Sequence, residues 1–134
     1  MHAEYDANTS SHRRLLIAED DPDTMFPLRE YFSEQGFTVD CVIGPAEAGR
    51  MLARFPYAVL LTDLHLTSHR RGEGMMVLQQ ARRQQPDIRA IMMTAFPSAE
   101  VELDARRLGA DAVLSKPFGL RSLNKVVSGA EPTT

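Results

Sequence analysis

Five short apolar runs recur along the chain, and longer amphipathic stretches fill the gaps between them. The runs are RLLIA (14–18), FTVDCV (37–42), AVLLT (58–62), IRAIMMT (88–94) and DAVLS (111–115). Each has the length of a β-strand. Several are apolar at consecutive positions, as strands covered by helices on both faces are. The gaps carry helical spacing: Met25, Leu28 and Phe32 at i, i+3, i+7, Val101, Ala105 and Leu108 at i, i+4, i+7, and Leu120, Leu123 and Val127 at i, i+3, i+7. Gly or Pro in EQGF, RFPY, QQPD and LGAD marks where helices stop. Strict alternation of this kind implies parallel strands joined by right-handed helical crossovers. The fold class is therefore α/β, a single doubly wound five-stranded parallel sheet with helices on both faces.

One local conflict stands out. Pro27 falls inside the first helical stretch, where a proline removes a backbone donor and costs about 3 kcal/mol. The sequence predicts a kink near Pro27 or a late helix start. Pro22 suits the first helical position, after Asp21 as an acidic cap.

The 134 residues suit one domain, large enough to bury a core without disulfides or a structural metal. Residues 13–128 are read as that domain, 1–12 as a flexible polar tail, and 129–134 as a second tail or the remnant of a linker. The net charge of −3 gives no broad basic field for nucleic acid or an anionic membrane. A single cysteine, Cys41, excludes an internal disulfide and points to the reducing cytosol. No run approaches the length of a membrane span, and the N-terminus lacks the apolar core of a signal peptide.

In a parallel sheet all the carboxyl ends lie along one edge, where ligands bind. The residues that follow each run are therefore the candidates for chemistry. After LLIA come Glu19, Asp20 and Asp21. The third run ends at Asp63, the fourth at Thr94, and the fifth leads into Lys116. The second ends at Val42, Ile43 and Gly44, which carry no chemistry. Asp21, in DPD, reads as a helix cap. Asp63 alone could be a turn former as readily as a functional group. Three carboxylates brought together repel by about 4 kcal/mol per pair at 4 Å in an effective dielectric of 20. Lys116 offsets one charge, and a divalent cation would relieve the rest. Hard oxygen donors without clustered Cys or His favour Mg²⁺ over zinc.

At these residues the chain resembles the receiver domain of bacterial response regulators. LLIAEDDPD, LLTDLHL, IMMTA and ADAVLSKPF occur in family order, and the resemblance covers residues 14–128. It implies a flavodoxin-like sheet in order 2-1-3-4-5 and a function in two-component signalling. Asp63 matches the phosphoacceptor that takes a phosphoryl group from a sensor histidine kinase or phosphotransfer protein. Glu19 and Asp20 match the acidic pair that holds Mg²⁺ together with Asp63 and the backbone carbonyl of His65. Thr94 and Lys116 match the hydroxyl and ammonium that turn to the new phosphoryl group. Pro117 matches a proline often preceded by a cis peptide, and Ala95 a small residue that leaves room at the site. The family often dimerises through its fourth helix, fifth strand and fifth helix. Arg106, Arg107, Arg121 and Lys125 belong either to such a face or to solvent. A signalling domain rather than an enzyme is implied, with self-catalysed phosphotransfer and dephosphorylation, in the cytoplasm, with no nucleic-acid or membrane contact of its own.

The chain departs from the family pattern in three places. Val113 stands where a switching aromatic is usual. Thr67 replaces a proline, and the loop 67–74 is about three residues longer than usual if Gly74 is the matching glycine. His65 and Phe96 lie where the family tunes phosphoryl lifetime. Two rival readings follow. One is a receiver-like docking module that is never phosphorylated. The other is a phosphatase of the haloacid-dehalogenase type, which requires a second Asp where His65 stands. Other residues read as structural: Cys41 as a small apolar strand residue, Met75, Met76, Met92 and Met93 as core, and HRR (12–14) and SHRRG (68–72) as solvated. His65 and His69, four apart, lack a third ligand for a metal.

Overall fold

The computed structural model describes residues 13–66 and 72–129. The proposed tail 1–12, the chain from residue 130, and Thr67 and His69 of the long loop lie outside the described residues. Strands and helices alternate as β1 (Arg14–Ala18), α1 (Pro22–Glu34), β2 (Thr38–Val42), α2 (Pro45–Arg54), β3 (Val59–Asp63), α3 (Gly72–Gln84), β4 (Arg89–Thr94), α4 (Ala99–Arg107), β5 (Ala112–Ser115) and α5 (Leu120–Ser128). All pairings are parallel, in the order β2-β1-β3-β4-β5. The expected fold and strand order both hold.

The two-residue period of the strands builds two cores. Leu16, Leu60, Ala90 and Met92 face the layer of α2, α3 and α4, where they meet Leu52, Val77, Leu78 and Ala105. Leu15, Ile17, Leu61 and Met93 face α1 and α5, where they meet Leu28, Phe32, Leu123 and Val127. β1, β3 and β4 are covered on both sides, which is why their sequences read as unbroken apolar runs.

The strands differ from expectation at their starts, where Phe37, Ala58, Ile88 and Asp111 precede the ladders, while β3 ends at Asp63 as expected, paired in register with Met93. α1 starts at Pro22 and continues through Pro27, so the predicted late start is not found. Pro27 and Asp23 are both exposed, so water can bond the Asp23 carbonyl that lacks its i+4 donor. Asp21 caps α1 as expected, accepting from the Asp23 amide at 3.1 Å and from the Thr24 hydroxyl at 3.2 Å.

Two structural expectations are corrected. Met76 is 50% exposed, because α3 buries Gly74, Val77, Leu78 and Ala81 and turns position 76 outward. Arg14 is not solvated. It bonds Asp40 at 3.0 Å and lies 4.0 Å over the Phe55 ring, while the Tyr57 hydroxyl donates to the same carboxylate at 2.7 Å. Burial, and then Asp40 as acceptor, push the Tyr57 phenol well up. Met75, Met92, Met93 and Cys41 pack as expected, and burial raises the Cys41 thiol.

Candidate functional site

The carboxyl ends of β1 and β3 lie side by side because Ala18 pairs with Thr62 in register. Glu19 leaves β1 with its amide bonded to the Val42 carbonyl at 3.0 Å, and Asp63 closes β3. One carboxylate oxygen from each of Glu19, Asp20 and Asp63 lies within 4.8 Å of the others. Glu19 is 1% exposed and Asp63 7%, while Asp20 faces solvent.

Lys116 reaches this cluster from the far side of β4. Its ammonium lies 3.1 Å from Glu19 Oε1 and 3.3 Å from Asp63 Oδ1. Its amide donates to the Thr94 carbonyl at 2.7 Å, which ties the residue after β5 to the end of β4. The peptide between Lys116 and Pro117 is cis. The second Glu19 oxygen accepts from the Asp21 amide at 3.1 Å.

The charges do not balance. Burial, and then the Asp63 charge, raise the Glu19 pKa above its ordinary value despite the Lys116 contact. Burial lowers the Lys116 pKa, but Glu19 and Asp63 outweigh it and the net direction is up. Three acids against one ammonium leave the pocket anionic, with hard oxygen donors and one side open to water. That donor set fits a small divalent cation.

Thr94 is fully buried, and its hydroxyl oxygen accepts from the Phe96 amide at 3.1 Å. Phe96 is 74% exposed and meets the His65 ring edge-on, with centroids 6.2 Å apart. A cavity of about 470 Å³ opens beside Lys116 between the start of α1 and the turn into α5, lined by Asp23, Pro27, Leu28, Ala95 and Phe118. A larger one, about 780 Å³, lies at the opposite end of the sheet among Phe55, Pro56, Gln85 and Pro86, and holds none of these groups.

The family model for the response regulator receiver domain matches residues 15–128. The chain belongs to that family. Transcriptional regulatory protein TctD of Salmonella typhimurium is 30% identical over 111 residues, which cover 83% of this chain and 48% of TctD. The chain thus spans about half the length of that relative. A Burkholderia pseudomallei response regulator, solved with a phosphorylated aspartic acid, calcium ion and citrate, has a TM-score of 0.79 at 22% identity over 88% of this chain and 70% of that one. The receiver domain of sensor histidine kinase PA1611 from Pseudomonas aeruginosa PAO1, solved with magnesium in its active-site cleft, has a TM-score of 0.74 at 22% identity over 87% and 95% of the two chains.

In this receiver domain Glu19, Asp20, Asp63 and Lys116 converge, as their places after the strands predict. Thr94 stands at the same edge, one residue beyond the Asp63 partner Met93. Val113 is half-buried on β5 and packs against the α2–α4 core. Sequence reasoning passed over Thr62, which is fully buried beside Asp63. The available signal was a hydroxyl directly after the aliphatic residues Val59, Leu60 and Leu61.

Proposed function

We propose that this receiver domain accepts a phosphoryl group on Asp63 from the phosphohistidine of a sensor histidine kinase or phosphotransfer protein, with residues 13–128 as the signalling unit. The observation that carries this reading is the Asp63 carboxylate held at the end of β3, 3.3 Å from the Lys116 ammonium and within one 4.8 Å cluster with Glu19 and Asp20. An Asp63 oxygen attacks phosphorus as the P–N bond to the donor imidazole breaks, and the product is a mixed anhydride. Water later cleaves it, restoring the carboxylate and releasing inorganic phosphate. Lys116 neutralises charge on the transferred oxygens. Mg²⁺, which Glu19, Asp20, Asp63 and the His65 backbone carbonyl would hold, supplies further neutralisation of those oxygens.

The same residues carry the switch. The Thr94 hydroxyl oxygen now accepts from the Phe96 amide. A dianionic group on Asp63 draws that hydroxyl and Lys116 inward, which biases the β4–α4 turn and the exposed Phe96 toward a second arrangement. Val113 gives the switch no aromatic in β5, so the turn itself carries the change to an interaction surface. The cavity beside Lys116 suits an apolar side chain of the donor protein. A homodimer through α4, β5 and α5 is the second expected partner.

The test is incubation with Mg²⁺ and acetyl phosphate followed by intact mass. A gain of one phosphoryl group, absent in Asp63→Asn and in the presence of a chelator, is expected. No gain in the wild type overturns the reading in favour of an unphosphorylated docking module.

A further inference from the structure

Thr62 is fully buried, and by the two-residue period it shares the face of Leu60 and Leu64. A valine there would pack as well, and a buried hydroxyl costs stability unless it is bonded. The Thr62 hydroxyl donates to the Asp63 carbonyl at 3.1 Å. The ladder with β1 ends at the Ala18–Thr62 pair, so this carbonyl lies just past the last paired residue. The other end of the same peptide group is held as well, because the Leu64 amide donates to the Met93 carbonyl at 2.9 Å. One peptide further on, the Gly74 amide donates to the Leu64 carbonyl at 3.2 Å. A Cβ at position 74 would overlap the Asp63 carbonyl oxygen and the Leu64 backbone, so only glycine lets α3 approach this closely.

We infer that Thr62 is a positioning residue for Asp63: its hydroxyl fixes the peptide group that carries the Asp63 side chain, with Gly74 closing the other side. The inference rests on the proposed phosphoacceptor role of Asp63. Without the hydroxyl the Asp63 carbonyl loses that donor, and the peptide is freer to turn. The carboxylate moves with it, and a misplacement of about 1 Å can cost on the order of a hundredfold in rate.

The experiment compares the full chain with Thr62→Val and Thr62→Ser. Two quantities are read: amide hydrogen exchange at Leu64 and His65, and the rate of Mg²⁺-dependent phosphoryl uptake from acetyl phosphate over a range of donor concentrations. Thr62→Val is expected to exchange faster at Leu64 and to lose about tenfold in maximal uptake rate. Its half-saturating donor concentration should stay within about twofold of wild type. Thr62→Ser should restore both. Exchange and uptake in Thr62→Val equal to wild type overturn the inference. So does a serine variant as impaired as the valine one, because the methyl packing would then be the cause. If the wild type takes no phosphoryl group, the phosphoacceptor reading fails and exchange alone decides the positioning role. Should Thr62→Val not fold, Thr62→Ala carries the same comparison.

Discussion

Glu19 sits almost wholly out of water, with the Lys116 ammonium on one oxygen and the Asp21 amide on the other. Burial and the nearby Asp63 still raise its pKa above 4.5. An acid whose pKa rises on folding contributes its full stability only below its unfolded value, and loses it as the pH climbs through the raised one. Glu19→Gln should therefore raise the melting temperature in the presence of a chelator at pH 7. The gain should shrink as the pH falls toward 4.5, which a pH series of thermal melts will show. Lys116 has the same sign of shift on a base. Its contribution is present throughout the neutral range and is lost only as the pH rises past its ordinary 10.5 and through the raised value. Lys116→Met strands two mostly buried carboxylates. Because the Lys116 side chain is 21% exposed, the cost is on the order of 2 kcal/mol at pH 7, below that of breaking a fully buried pair. Urea unfolding measures it.

Arg82 is the fastener between elements on the side of the sheet opposite the carboxylates. From α3 it donates to the Gly109 carbonyl at 2.6 and 3.2 Å, to the Pro86 and Ile88 carbonyls at 2.6 and 2.9 Å, and to Asp111 at 2.9 Å. Asp111 in turn accepts from the Ala90 amide at 2.9 Å. Arg82→Ala should cost about 1–3 kcal/mol by urea unfolding, because several turn carbonyls lose this donor and Asp111 keeps only the Ala90 amide. α1 offers the opposite case. Pro27 interrupts its hydrogen-bond ladder on an exposed face. Pro27→Ala restores the donor, and the gain is reduced by the looser unfolded chain. A rise of about 1–2 kcal/mol in unfolding free energy is expected, read as a higher melting temperature. These elements show what local pattern can reach. The start of α1 and its N-cap followed from Asp21 and Pro22 and its buried face from the i, i+3, i+7 apolar spacing, whereas its passage through Pro27 did not. The anchoring of Arg82 to Gly109 and Asp111 did not either, because these partners lie a strand and a helix further along the chain.

Folding brings the carboxyl ends of β1, β3 and β5 to one end of the sheet, so the whole molecule determines whether the carboxylates meet. Their mutual repulsion is a cost that a divalent cation removes. Added Mg²⁺ should therefore raise the melting temperature, and the rise should grow with the logarithm of free Mg²⁺ once it exceeds Kd. The rise should vanish with a chelator and be much smaller in Asp20→Asn, as differential scanning fluorimetry would show. Among the described residues no helix is long and apolar enough to cross a membrane. By itself the sequence determined the alternation of strands and helices, the parallel sheet, and which residues stand at the strand ends. Each of these depends on periodicity and on neighbours along the chain. Only the tertiary structure decided that Arg14 pairs with Asp40 under Tyr57, that Met76 faces outward, and that Thr62 and Gly74 close around the peptide behind Asp63. Burial, hydrogen-bond partners and closest approach are set through space, by segments that the order of residues does not place side by side.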